Sequence, residues 1–308
     1  MAHPARMCAA VAVAATLLVL VGCSSGDKEK AQPDPPAPAP TGTAIEADDP
    51  LVAPTANCPR PPQEPTTATE PESGGLTART TYMLGGGEAD FAYDVAAFDR
   101  QRTAFEVADM RSLSIDDTFA QGAYAVGGGH AIVVVANASD QPIDIAGIHP
   151  VNLVRECMPL AAAFLGGGEA GDEPKMYFDL DLAAPEARAF NNEGEDPTLF
   201  FQEKSWQIPA RGEDEGQIDF DTQLGAYSFD LAIEYQIDGE QYLALLDNKG
   251  QPFRITSSLC ASSDDLVGLP DAAVQRLKSL RYQRVRQRGL EFVMADVDPE
   301  QVAADCPW

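Results

Sequence analysis

Between Ala226 and Ile237 the chain alternates without a break. Tyr227, Phe229, Leu231, Ile233, Tyr235 and Ile237 fall on one side, and Ala226, Ser228, Asp230, Ala232, Glu234 and Gln236 on the other. A repeat of two is that of a β-strand with one apolar and one mostly polar face. Asp238-Gly239 follows, a pair favoured in two-residue hairpins because both positions take positive φ. A return strand is expected over 241–246. Asn248-Lys249-Gly250 then turns the chain again, and Phe253 and Ile255 continue as a short strand.

Other segments carry the same signal. Ala131–Ala136 is apolar on both faces, which predicts a central strand. Ile143–Val154 returns after the turn at Ser139-Asp140-Gln141-Pro142. Met176, Phe178, Leu180 and Leu182 alternate with Tyr177, Asp179 and Asp181, and Leu199–Phe201, Trp206–Ile208 and Gln217–Phe220 complete the set. Many short strands with frequent turns predict a mainly β chain, an antiparallel β-sandwich over residues 78–258. Trp206-Gln207-Ile208-Pro209-Ala210-Arg211-Gly212 is similar to the late strands of immunoglobulin-like modules in bacterial surface proteins, a resemblance that implies an antiparallel immunoglobulin-like β-sandwich. Phe91–Met110 fits neither the strand nor the helix period. The triplets Gly85–Gly87, Gly127–Gly129 and Gly166–Gly168 read as hairpin loops. None leads into Lys-Ser/Thr as a phosphate loop would.

At the other end, Arg6 precedes an apolar run from Met7 to Val21. That run has signal-peptide length and falls short of the ~20 apolar residues of a spanning helix. It closes on Leu20-Val21-Gly22-Cys23, which resembles the lipobox of bacterial lipoproteins. The resemblance implies cleavage before Cys23, acylation of its sulfur and anchoring by the acyl chains. Residues 1–22 are then a signal peptide, and the protein is lipid-anchored at the extracytoplasmic face of a cell membrane. Residues 23–77 are rich in Pro and poor in large apolar side chains, which predicts a disordered tether. At ~3 Å per residue it would reach on the order of 100 Å. The order of lipobox, Pro-rich tether and β body resembles surface lipoproteins of high-GC Gram-positive bacteria, a resemblance that implies no activity.

Four cysteines remain beyond Cys8 and Cys23: Cys58, Cys157, Cys260 and Cys306. An even number in an exported chain reads as two disulfides. Of the three pairings, Cys260–Cys306 with Cys58–Cys157 is preferred, the first stapling the C-terminal segment and the second pinning the tether to the body. Removing residues 1–22 removes Arg6 and no acid, so the formal charge of −27 becomes −28. A chain so acidic is a poor partner for nucleic acid.

Residues 259–308 form a C-terminal helical segment, with one helix expected from Pro270 to Arg288 and a short last one opened by Asp298-Pro299-Glu300-Gln301. The first carries Arg276, Lys278, Arg281, Arg284 and Arg288, a candidate surface for an anionic cell-wall polymer or an envelope protein, or a basic face lying on the acidic body. Asp179 and Asp181 share a strand face, as do Asp219 and Asp221, and together they are the candidate Ca²⁺ ligands. No cofactor other than Ca²⁺ is implied. The chain has no HExxH, CxxC or GxSxG motif, and His130 and His149 have no third partner in view. The sequence therefore points to a non-catalytic binding or scaffolding protein of the cell envelope. A Ca²⁺-dependent adhesion module and an envelope hydrolase are the alternatives.

Overall fold

The structure, a computed structural model, describes residues 66–72, 74–85, 90–107, 115–165, 175–182, 184–189, 198–260, 266–289 and 293–307. Cys23, Cys58, the signal segment and most of the expected tether lie outside the described residues. In chain order the elements are β1 (Leu76–Gly85), β2 (Phe91–Tyr93), α1 (Val95–Val107), α2 (Ile115–Ala120), β3 (Tyr124–Val126), β4 (Gly129–Asn137), β5 (Ile143–Glu156), β6 (Ala161–Phe164) and β7 (Met176–Asp179). After these come α3 (Phe200–Glu203), β8 (Trp206–Ile208), β9 (Glu213–Asp221), β10 (Ala226–Ile237), β11 (Glu240–Asp247), β12 (Phe253–Thr256), α4 (Asp271–Ser279), β13 (Arg284–Arg288), β14 (Met294–Val297) and α5 (Pro299–Asp305). The protein is mainly β, with a few short helices.

β10 is the hub. Its first half pairs with β12 and its second half with β11, while β5 runs antiparallel along its other side. Asp238 and Gly239 both take positive φ, and Ile237 pairs with Glu240, so the two-residue hairpin forms where the sequence places it. The sheet order is β14-β13-β6-β2-β3-β12-β10-β11-β1-β4-β9-β7, with β5 and β8 branching from β10. The sheet is mixed rather than purely antiparallel: β1–β11, β3–β12, β6–β13 and β7–β9 are parallel. These partners lie far apart in sequence, so no hairpin joins them and a parallel approach is open to them.

Strand order hides which strands face one another. Between β9 and β10 lie β4, β1 and β11, yet the Phe220 ring of β9 sits 5.0 Å from Phe229 of β10 and 5.5 Å from Phe253 of β12. The sheet therefore bends until its inner faces meet. The main core fills that interior with Phe178, Phe220, Phe229, Phe253, Leu231 and Ile233, all nearly inaccessible.

A second, smaller core lies on the opposite face of the β6-β2-β3-β12 stretch. Ala92, Tyr124, Val126, Ala162 and Ala226 meet Met158, Leu160, Leu259, Leu277, Tyr282 and Val285. The C-terminal segment is thus a layer of the fold, not an appendage. It is also only partly helical. α4 ends at Ser279, where Leu280 turns extended, and Arg284–Arg288 forms β13, parallel to β6 and antiparallel to β14. Arg284, Arg286 and Arg288 repeat every second residue, with Val285 buried between them. A helix expected through Arg288 thus becomes a nine-residue helix and a strand.

Other expectations also change. Leu199–Phe201, expected as a strand, opens the short α3, and Phe91–Met110 resolves into β2 and α1 over its described part. Leu76 already belongs to β1 and Thr69 pairs with Leu243, so order begins before residue 78. Gly127 and Gly128 take positive φ, but they connect β3 to β4, which are not sheet neighbours, so this triplet makes a crossing and not a hairpin. The triplet at 166–168 and most of that at 85–87 lie outside the described residues.

Candidate functional site

The four candidate carboxylates separate into two environments. β7 and β9 run parallel, with Tyr177 beside Asp219 and Asp179 beside Asp221, and His130 of β4 lies opposite Asp219. His130, Asp219 and Tyr177 thus make a row across three strands on the outer face of the sheet. Gln217 donates to Asp219 at 2.9 Å. Burial raises the Asp219 carboxyl above the ordinary carboxylate range against that bond and the charge of His130. Burial lowers the His130 imidazole below its ordinary value, and Asp219 opposes the shift. Burial and the neighbouring Asp181 raise Asp179, while an amide hydrogen bond and Arg188 pull the other way.

Asp181 has a different role. Its carboxylate accepts from the Thr222 hydroxyl at 3.0 Å, the Gln223 amide at 2.6 Å, the Leu224 amide at 3.1 Å and the Tyr227 hydroxyl at 2.8 Å. A carboxylate with four donors holds the turn between β9 and β10. Its lone pairs are committed to protein groups and not to a cation. Among the described residues no three His, Cys, Asp or Glu side chains converge as a metal cage.

The inner end of β9 holds another charged group. Lys175 reaches Asp214 at 2.8 Å and lies 4.0 Å over the Trp206 ring, and the Trp206 indole donates to the same Asp214 oxygen at 2.6 Å. Burial pushes Asp214 up, but the hydrogen bonds from Lys175 and Trp206 and the lysine charge hold it below the usual range. This trio joins β8 to β9 across the bend, so its chemistry serves the fold.

The basic residues do not form one surface. Arg276 and Lys278 lie in the last turn of α4, where cations complement the helix dipole. Arg281 follows the helix and donates to the carbonyls of Lys278 and Leu280. Arg284 and Arg288 stand on β13, and Arg284 lies 3.6 Å from Asp99 of α1. Arg286, between them on the same strand, is nearly inaccessible. It reaches Asp296 at 3.3 Å and donates to the Met294 carbonyl at 3.2 Å. Between α1 and the β13–β14 hairpin a cleft of ≈ 240 Å³ opens, lined by Phe98, Asp99, Arg284, Val285, Asp296 and Pro299 among others.

Comparison with family models, with curated proteins and with solved structures finds no match.

The cleft leaves no mark in the sequence, because its walls come from residues almost two hundred positions apart. Nor does the sequence mark the buried acid Glu156, which accepts from the Tyr124 hydroxyl on the face of the second core. Burial and Glu156 together hold that phenol above its usual range. Of the expected disulfides, Cys260–Cys306 is formed. Cys157 is disulfide-bonded as well, and Cys58 lies outside the described residues.

Proposed function

We propose that this chain is a lipid-anchored, extracytoplasmic protein that binds or scaffolds at the cell envelope without catalysing a reaction. Cys23 is the anchor, the Pro-rich residues that follow it the tether, and the folded part an immunoglobulin-like sandwich. The observation that carries the compartment is the Cys260–Cys306 disulfide. Such bonds persist in oxidising surroundings outside the cytosol, and they agree with the signal-like residues 1–23. The sandwich reading is supported by the contact of Phe220 with Phe229 and Phe253 across the bend of the sheet.

A binding role is supported by the way the polar groups are used. Asp181 holds a turn, and Asp214 holds Lys175 and Trp206. Glu213, Glu215, Asp219 and Asp221 of β9 stand in a row on one sheet face, with Asp179 of β7 beside Asp221. On that outer face Glu213, Glu215, Gln217 and Asp219 of β9 lie beside Ala136, Val134, Ile132 and His130 of β4. The exposed Glu213 and Glu215 on that face suit a basic partner, in keeping with the net charge.

The anchor is tested by replacing Cys23 with Ala and following the protein between membrane and soluble fractions. The variant should leave the membrane fraction, and equal retention would refute the anchoring. The contact face is tested by cross-linking in intact cells with Glu213→Lys and Glu215→Lys combined. Loss of the cross-linked products is expected, and unchanged products would move the contact elsewhere.

A further inference from the structure

The Cys260–Cys306 bond looks at first like a staple for the whole C-terminal layer. The packing says otherwise. The segment it encloses contains α4, β13 and β14, and each is held by other means. Ala273 and Leu277 of α4 are wholly inaccessible, and Tyr282 and Val285 sit in the second core. β13 is paired on both sides, Met294 of β14 reaches the main core, and Arg286 ties β14 to β13. α5 is the exception. It buries no residue, and its seven residues are too few for a stable isolated helix. Its tie to the core is a partly buried Val302, and its end is fixed by Cys306.

We propose that α5 is a redox-released flap whose latch is the Cys260–Cys306 disulfide. Both cysteines are partly exposed, so an attacking thiolate can reach them. The partner is a protein dithiol. One of its thiolates attacks one sulfur of the latch, the S–S bond breaks, and the other sulfur leaves as a thiolate that takes up a proton. The partner's second thiol then displaces the mixed disulfide. The partner ends oxidised by two electrons, and Cys260 and Cys306 end as two thiols. Release of α5 moves Pro299, which lines the cleft beside Phe98 and Arg284, so the latch controls one wall of that cleft.

Hydrogen exchange by mass spectrometry on the full chain tests this, comparing the oxidised protein, the protein treated with dithiothreitol, and the variant Cys260→Ser with Cys306→Ser. The double variant leaves Cys157 in its disulfide, which separates the latch from the other bond. Amides of residues 300–306 should exchange at least about tenfold faster in the treated protein and in the variant, while α4 and β13 keep their protection. If α4 and β13 lose protection together with α5, or if the variant does not fold, the bond is a staple and the proposal fails. Unchanged protection of α5 overturns it equally.

Discussion

The two cores differ in what fills them. The main core is built from large rings, with Phe178 stacked on Phe220 and Phe229 stacked on Phe253. The second core is faced with small side chains, Ala92, Ala162 and Ala226, against which Leu277, Tyr282 and Met158 pack. Burial energy scales with the apolar area removed from water, so the first holds its strands far more firmly than the second holds its covering layer. The covering layer then divides again, into α4 and β13, which bury residues in the second core, and α5, which buries none and touches that core through a partly buried Val302. Stability is therefore expected to fall outward from β10, with the Cys260–Cys306 disulfide at its low end.

The largest change should come from Phe220→Ala. It empties a fully enclosed site between three other rings and should cost about 3–5 kcal/mol in urea unfolding. Leu277→Ala should cost about 2–3 kcal/mol, at the low end for a buried leucine, because a layer on one face collapses more readily than an interior. Its signature would be earlier exchange of α4 with β10 unchanged. If both substitutions loosened β10 and α4 alike, the division into two cores would fail.

Asp181→Asn should cost about 1.5–3 kcal/mol, because it removes the charge from four hydrogen bonds and brings a donor among donors. A cost below about 0.5 kcal/mol would show that the turn between β9 and β10 holds itself.

The smallest effect concerns pH. Burial raises Asp219 and Asp179 in the folded state, so their protonated forms favour folding. That contribution is fully present below the unfolded carboxylate value and is lost as pH rises through the raised folded value. Asp219→Asn should therefore raise the unfolding free energy slightly at neutral pH, by less than about 1 kcal/mol because the site is partly solvated, and the gain should vanish below about pH 4. A loss of stability at neutral pH would mean that the ionised Asp219–His130 contact is a net stabiliser.

What could be read from the sequence follows the same division. β10, β11 and their hairpin were legible because apolar residues carry the period and Asp238-Gly239 marks the turn. β13 was hidden because its period is carried by arginines, which look alike on a helix or a strand until Leu280 and Val285 are seen to differ in role. Parallel partners such as β6 and β13 leave no local mark, since pairing across more than a hundred residues is decided by the sheet around them. Among the candidate ligands, the shared face of Asp219 and Asp221 followed from alternation. The capture of Asp181 by the amides of Gln223 and Leu224 depends on a turn whose geometry no spacing encodes.

Native-state hydrogen exchange on the oxidised protein, under increasing denaturant, tests the outward fall of stability most directly. Amides of β9, β10 and β12 should open only with global unfolding, those of α4 and β13 at a lower free energy, and those of α5 lowest of all. A single opening energy shared by all three groups, or α4 outlasting β10, would contradict it.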